Sequence, residues 1–363
     1  MSYLTGKHFR LLAFSLLILI LASCEPLVTQ FEELEDSIMY SSKNIKAPPT
    51  TVDTVTVMTW NIRFGAGRVP WFGDSCGDRV MLTENEVLSS LEGIVTKLNQ
   101  VKPDILLLQE IDVESKRSGY IDQVQWLLDH SYFNYAAYAP VWKAQWIPSD
   151  GLGRMNMGNA ILSRWQIKEA VRIQLPLRGD QDGLTKYFYL RRNILKTKIA
   201  LPGMDNFYAV NVHTSAFSMD DTKQKHIDMF TAELDKISAN GGLFIAGGDL
   251  NTLPPGASFT NYCPDELCPG EKPEDQEGCD YSLETTWLNQ LYGTYTPAIV
   301  LNKYLSDEEK YFTHTPDWTG FWDRKLDYLF TNHKWLSGSD STHQETTDLS
   351  DHSPVSVKWE VPK

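Results

Sequence analysis

The chain has 363 residues, with 33 Lys and Arg against 47 Asp and Glu, and a formal net charge of −14 at pH 7. That acidic balance argues against broad, sequence-independent affinity for nucleic acid, which depends on neutralising phosphates. A small anionic substrate stays open, because one bound divalent cation dominates the charge around it.

Lys7, His8 and Arg10 precede the apolar run LLAFSLLILILA, and Leu21-Ala22-Ser23 lead into Cys24. A basic start, a short apolar core and small residues predict a secretory signal over 1–23, too short for a comfortable membrane span. The tetrad ending in Cys24 resembles a bacterial lipobox, which implies acylation of that cysteine. The expected product is an exported lipoprotein, anchored in the inner or outer membrane and facing the periplasm or the cell surface. Residues 24–53 are acidic in FEELEDS and end in Ala47-Pro48-Pro49-Thr50-Thr51, the composition of a flexible tether.

A first strand is expected from Thr54, where Val55, Val57 and Thr59 alternate. Thr83-Glu84-Asn85-Glu86 reads as a capping box, and Val87, Leu91, Ile94, Val95 and Leu98 then carry an amphipathic helix to about Gln100. Pro103 ends it, and 104–109 is a buried strand. A second helix over 122–130 and a strand near 134–138 follow. Further strands are predicted at 159–162, 193–199 and 206–212, a long helix at 221–238, and strands at 243–247 and 353–359. Strands outnumber what a simple crossover pattern needs, so the fold class is α/β, with two sheets packed face to face and helices outside. One domain, 54–363, is expected, with a Pro-, Gly-, Cys- and acid-rich insertion over about 254–283.

Cys76, Cys263, Cys268 and Cys279 remain after Cys24. An even number in an exported chain favours disulfides, with three pairings open. Zinc is the weaker reading, since no close Cys-x-x-Cys pair or neighbouring histidine is present.

Polar residues recur where apolar runs stop: Asn61, Glu110, His213, Asp249, Asn251, Asp327 and the pair Asp351-His352. Carboxylates, amides and imidazoles at the ends of buried strands suit a hard metal ion and a hydrolytic water. Asp249 and Asn251, one residue apart, should project to one side of an extended segment, although an Asx turn is the competing reading.

TWNIRFG, LLLQE, GNAILSR around Asn159, VNVHTS, GGDLNT, KLDYLF and SDHSPV occur in that order, and the set resembles the endonuclease/exonuclease/phosphatase superfamily from about residue 54 to the C-terminus. The resemblance implies a four-layer αββα sandwich with two mixed sheets, and Mg²⁺-dependent hydrolysis of phosphodiesters or phosphomonoesters. Mn²⁺ and Ca²⁺ are alternative ions. Glu110, Asn61 and Asp351 are the candidate metal ligands. Asp249 or His352 is the candidate base, with Asp327 orienting His352, Asn251 holding a phosphoryl oxygen, and His213 donating to that oxygen or to the leaving group. Of the other histidines, only His314 lies in a stretch expected to reach the cleft.

Two aromatic segments should set specificity: 64–82, with Trp71, Phe72 and Arg79, and 140–157, with Trp142, Lys143, Trp146 and Arg154. The expected substrate is a small molecule, a nucleotide or a phospholipid headgroup, with the membrane reached through the lipid anchor and the chain acting as a monomer. A secreted nuclease and a non-catalytic surface binding protein that kept the fold are the competing readings.

Overall fold

The structure is a computed structural model and describes residues 27–73, 76–268, 270–272, 278–317 and 320–363. The signal and Cys24 lie outside these residues. No helix among them is long and apolar enough to cross a membrane.

Two seven-stranded sheets form the frame. The first runs, edge to edge, β13 (Ser341–Thr342), β14 (Val355–Glu360), β3 (Thr54–Asn61), β4 (Ile105–Asp112), β6 (Gly153–Ser163), β5 (Tyr135–Ile147) and β2 (Ile38–Ser41). The second runs β1 (Leu34–Asp36), β7 (Ile167–Gln174), β8 (Asn193–Ile199), β9 (Phe207–His213), β10 (Leu243–Asp249), β12 (Asp327–Thr331) and β11 (Thr296–Pro297). Both are mixed, since β3 pairs parallel with β4 and β9 with β10 while the remaining pairings are antiparallel.

Strand periodicity explains the layering. Val57, Ile105, Leu107 and Ile161 of the first sheet meet Leu195, Ala209, Ile245 and Leu329 of the second in the central core. Their neighbours Met58, Trp60, Leu106 and Leu108 point the other way, against Val87, Leu91, Ile94 and Leu98 of α1 (Glu84–Val101) and Val124, Leu127 and Leu128 of α2 (Gln123–His130). A short helix, α3 (Gly183–Phe188), lies in the connection before β8. On the far face, Val210, Val212, Phe244 and Ala246 pack against Ile227, Phe230, Leu234 and Ile237 of α4 (Thr222–Ala239). The four-layer αββα sandwich is therefore the fold. The capping box of α1 is present: the Thr83 hydroxyl accepts from the Glu86 N–H and the Glu86 carboxylate accepts from the Thr83 N–H.

The tether expected over 24–53 is corrected by the structure. β1 pairs with β7 in one sheet and β2 with β5 in the other, so residues 34–41 close an edge of each. Pro49 is packed down as well, its carbonyl accepting from the Trp165 indole at 3.0 Å. Edge strands bind through their backbone and leave most side chains in water, so their composition reads as a linker. Strand β7 escapes the alternation pattern for a different reason: its pairing with β8 slips between Ile167 and Glu169, which breaks the period of two.

Candidate active site

Register brings three polar residues into one row. Asp249 lies opposite His213 across β9–β10 and opposite Asp327 across β10–β12. Asn61 closes β3 on the facing sheet, and the 350–352 loop is tied to it. The Ser350 hydroxyl donates to the Asn61 carbonyl at 2.8 Å, and the Trp60 indole donates to the His352 carbonyl at 2.9 Å.

Glu110 reaches the cleft through a bulge. Pairing of β4 with β6 shifts between Leu108 and Ile111, and Glu110 takes a positive φ of 53°. The extra residue breaks the alternation, so Glu110 leaves the buried row while the strand continues to Asp112. The Asn61 amide spans two carboxylates, donating to Glu110 Oε1 at 3.3 Å and to Asp249 Oδ2 at 3.1 Å.

His352 donates from Nδ1 to Asp327 Oδ2 at 2.8 Å, the pairing the sequence predicts, and its Nε2 lies 3.6 Å from Asp249 Oδ2. Burial works against its charged form, but the carboxylates of Asp327 and Asp249 more than offset this and hold the imidazole up to about 10. The Asp249 carboxyl is pushed up to about 7 by burial, against the opposing pull of His352. His213 Nε2 lies 3.3 Å from Asp249 Oδ2, and burial, with the nearby charges of Arg192 and His352, holds that ring well below the usual histidine range.

Asp249 and Asn251 do not share an extended segment. Asn251 has φ 46° and its N–H donates to Asp249 Oδ1 at 3.0 Å, the Asx turn that competed with the strand reading. Its amide donates to the Thr214 carbonyl at 3.2 Å. Both residues nevertheless line the cleft, with Glu110, His213, Asp351 and His352. Asp327 stands behind this row, buried beneath His352. His314 also reaches the cleft, its ring 4.3 Å from that of His352 and its Nδ1 donating to the Asp351 carbonyl at 3.2 Å.

The donors suit a hard divalent cation at one edge of this cluster. Among the described residues no lysine or arginine forms an ion pair with Glu110, whose carboxylate is partly open to solvent beside Asn61. Asp351 is nearby in the same cleft but holds Arg63 Nε at 3.3 Å. Two other groups of ligand atoms lie within 4.8 Å of one another: Asp249, Asp327 and His352, and His314, Asp351 and His352. Both include His352, whose Nδ1 is already bonded to the Asp327 carboxylate. The Glu110 carboxylate supplies a hard oxygen donor at that edge, while Asn61 presents its NH₂ there and its Oδ1 accepts from the Arg63 N–H at 3.0 Å.

Arg192 went unremarked in the sequence. It is buried at the cleft, and its Nη1 has no hydrogen-bond partner among the described residues. Burial lowers the guanidinium, with Glu110 and Asp249 among the charges that oppose this. An arginine pair, Arg191-Arg192, directly before an apolar strand was the available signal.

The insertion roofs part of the site. Cys263 pairs with Cys279, and Cys268 pairs with Cys76, 192 residues away, so the insertion is fastened to the loop after β3. Glu266, Gly278 and Tyr281 line the cleft. Gly278, at φ +75°, lies so close to the loop after His213 that a Cβ there would meet the Ala216 carbonyl at 2.7 Å. Of the specificity aromatics, Trp71 and Trp142 line the cleft; Phe72 and Trp146 do not. Arg79 is forked onto Glu86 and Arg154 pairs with Glu114, so neither faces the site.

His226 supports the same loop from outside the cluster. Its Nδ1 accepts from the Ser215 N–H at 3.2 Å and its Nε2 donates to the Pro176 carbonyl at 2.8 Å. Burial holds the ring down to about 4, below the usual 6.5. The unfolded chain therefore takes up this proton first as pH falls, and the fold loses stability between about 6.5 and 4, by up to about 3 kcal/mol. Urea titrations at pH 7 and pH 4.5 should show a smaller pH-dependent loss in His226→Gln than in wild type. Identical losses would rule out this contribution.

Residues 58–352 match the Endonuclease/Exonuclease/phosphatase family, and the chain belongs to that family. Its members are generally hydrolases of phosphoester bonds and typically depend on a divalent metal. The solved endonuclease/exonuclease/phosphatase from Beutenbergia cavernae DSM 12333 is similar, with a TM-score of 0.53 and 16% identity over 85% of this chain and 72% of that one. A family protein from Leptotrichia buccalis C-1013-b aligns with a TM-score of 0.52 and 17% identity, over 85% of this chain and 100% of that one. At these identities the likeness shows the fold alone. No curated protein matches the sequence significantly.

Proposed function

We propose that this protein is a Mg²⁺-dependent phosphoester hydrolase acting on small or membrane-presented phosphoesters. The observation that carries the proposal is one cleft lined by Glu110, Asp249, Asp351 and His352, with Asn61 and Asp327 hydrogen-bonded to this row from behind. A divalent cation held by Glu110 and Asp351, and by Asn61 once its amide turns Oδ1 toward the cleft, would polarise a phosphoryl oxygen.

The remaining roles follow from protonation. Asp249, poised near neutrality, is matched to accept a proton from the attacking water. His352, kept charged by Asp327, is suited to hold the phosphoryl oxygen and not to act as the base. Arg192 supplies a second cation with an open donor, and neutral His213 can donate to an oxygen of the same group. The acidity of the chain and the roof over the cleft support a compact ester over duplex DNA. A comparison of kcat/KM for duplex DNA and for small phosphomono- and diesters tests the substrate class. Efficient plasmid nicking beside negligible turnover of every small ester would replace this reading with a nuclease.

Membrane anchorage through Cys24 belongs to the same proposal. Acylation needs the thiol, so Cys24→Ser should move the exported protein out of the membrane fraction. Retention of the variant at the wild-type level would contradict the anchor.

A further inference from the structure

Beside the polar cluster the cleft has an apolar wall. Trp142 of β5 pairs with Met157 of β6, which pairs with Asp112 of β4. The indole thus stands two strands from the Glu110 bulge, about 10 Å across the sheet. Its N–H is committed to the Phe188 carbonyl at 2.7 Å. Trp71 is held likewise, by a 3.2 Å bond to the Val80 carbonyl and edge-to-face contacts with Phe64 and Phe72 at 5.1 and 4.6 Å. Behind them the Arg117 guanidinium lies 3.5 Å from the Phe64 ring and is forked onto buried Asp112 by two 3.0 Å bonds. Both indoles therefore have fixed orientations before any ligand arrives.

Arg192 joins this wall to the polar cluster. The Arg191 N–H donates to the Val141 carbonyl at 2.7 Å, which places Arg192 beside the Trp142 strand, with a buried Nη1 that has no partner among the described residues. A cation with one open donor among the described residues, lining the same cleft as two rigid indoles, complements a phosphate carrying a planar ring. We infer that Trp71, Trp142 and Arg192 form a subsite for the aromatic ring of a phosphoester, either an aryl phosphate or a nucleotide. This rests on the phosphoesterase reading and narrows its substrate class.

Titration calorimetry in chelator, with phenyl phosphate, uridine 5′-monophosphate, octyl phosphate and methyl phosphate, tests it without turnover. At least one ring-bearing compound should bind roughly 5- to 100-fold tighter than methyl phosphate. Phenyl phosphate alone would identify an aryl group, and the nucleotide alone a nucleobase. Trp142→Ala should remove most of that margin, while Trp146→Ala, half-exposed and outside the cleft, should keep it. Trp142→Leu serves if the alanine variant does not fold. Arg192→Gln should weaken every phosphate. Octyl phosphate binding as tightly as the ring compounds, or no margin over methyl phosphate, overturns the subsite. Ring-dependent binding without Mg²⁺-dependent hydrolysis of any ester would instead sink the phosphoesterase reading and leave the subsite standing.

Discussion

Replacing His352 with alanine is expected to lower kcat by more than about 10²-fold, the usual scale for a group that handles charge and protons in the transition state. The residue sits between two carboxylates, 2.8 Å from Asp327 and 3.6 Å from Asp249, and their combined field keeps it charged. Asp327→Asn should cost less, because the imidazole stays in place while losing the carboxylate that holds its proton. In that variant the His352 pKa should fall from about 10 toward its ordinary value, so activity should weaken on the alkaline side first. A pH–rate profile of Asp327→Asn matching wild type would show that the pair has no role in the reaction.

Glu110→Gln should be comparably severe. The substitution keeps shape and most hydrogen bonding but removes a partly exposed carboxylate of the cluster that, among the described residues, pairs with no lysine or arginine. Mg²⁺ binding relies on such a charge, so the apparent Mg²⁺ affinity should weaken together with kcat, and raising Mg²⁺ should restore part of the activity. Calorimetric titration of Mg²⁺ separates metal loss from misfolding. Wild-type Mg²⁺ affinity in this variant would place the metal elsewhere.

Much of this arrangement was legible in the sequence, because strands buried on both faces announce themselves as apolar runs. The residues ending β3, β9 and β10 were visible as interruptions of those runs, and the capped α1 was readable from Thr83 and Glu86. Glu110 was found for an incomplete reason: it marks a bulge inside β4 and not the end of that strand, a distinction that depends on pairing with β6. For Asp249 and Asn251 the sequence left an extended segment and an Asx turn both open, and only the backbone, with Asn251 left-handed, decides for the turn. Pairing of Cys76 with Cys268 is a property of three-dimensional proximity, so counting cysteines left it open. The edge strands near residues 34–41 and the buried Arg192 were hidden because charged side chains usually mark solvent, and here only the backbone or an apolar wall shows otherwise.

Metal-dependent ester hydrolysis by the purified protein is the decisive measurement. Assayed against a panel of phosphomonoesters and phosphodiesters, it should turn over at least one in Mg²⁺, stop in chelator and recover when Mg²⁺ is restored. Turnover that persists unchanged in chelator, or none of any ester in Mg²⁺, Mn²⁺ or Ca²⁺, would contradict it.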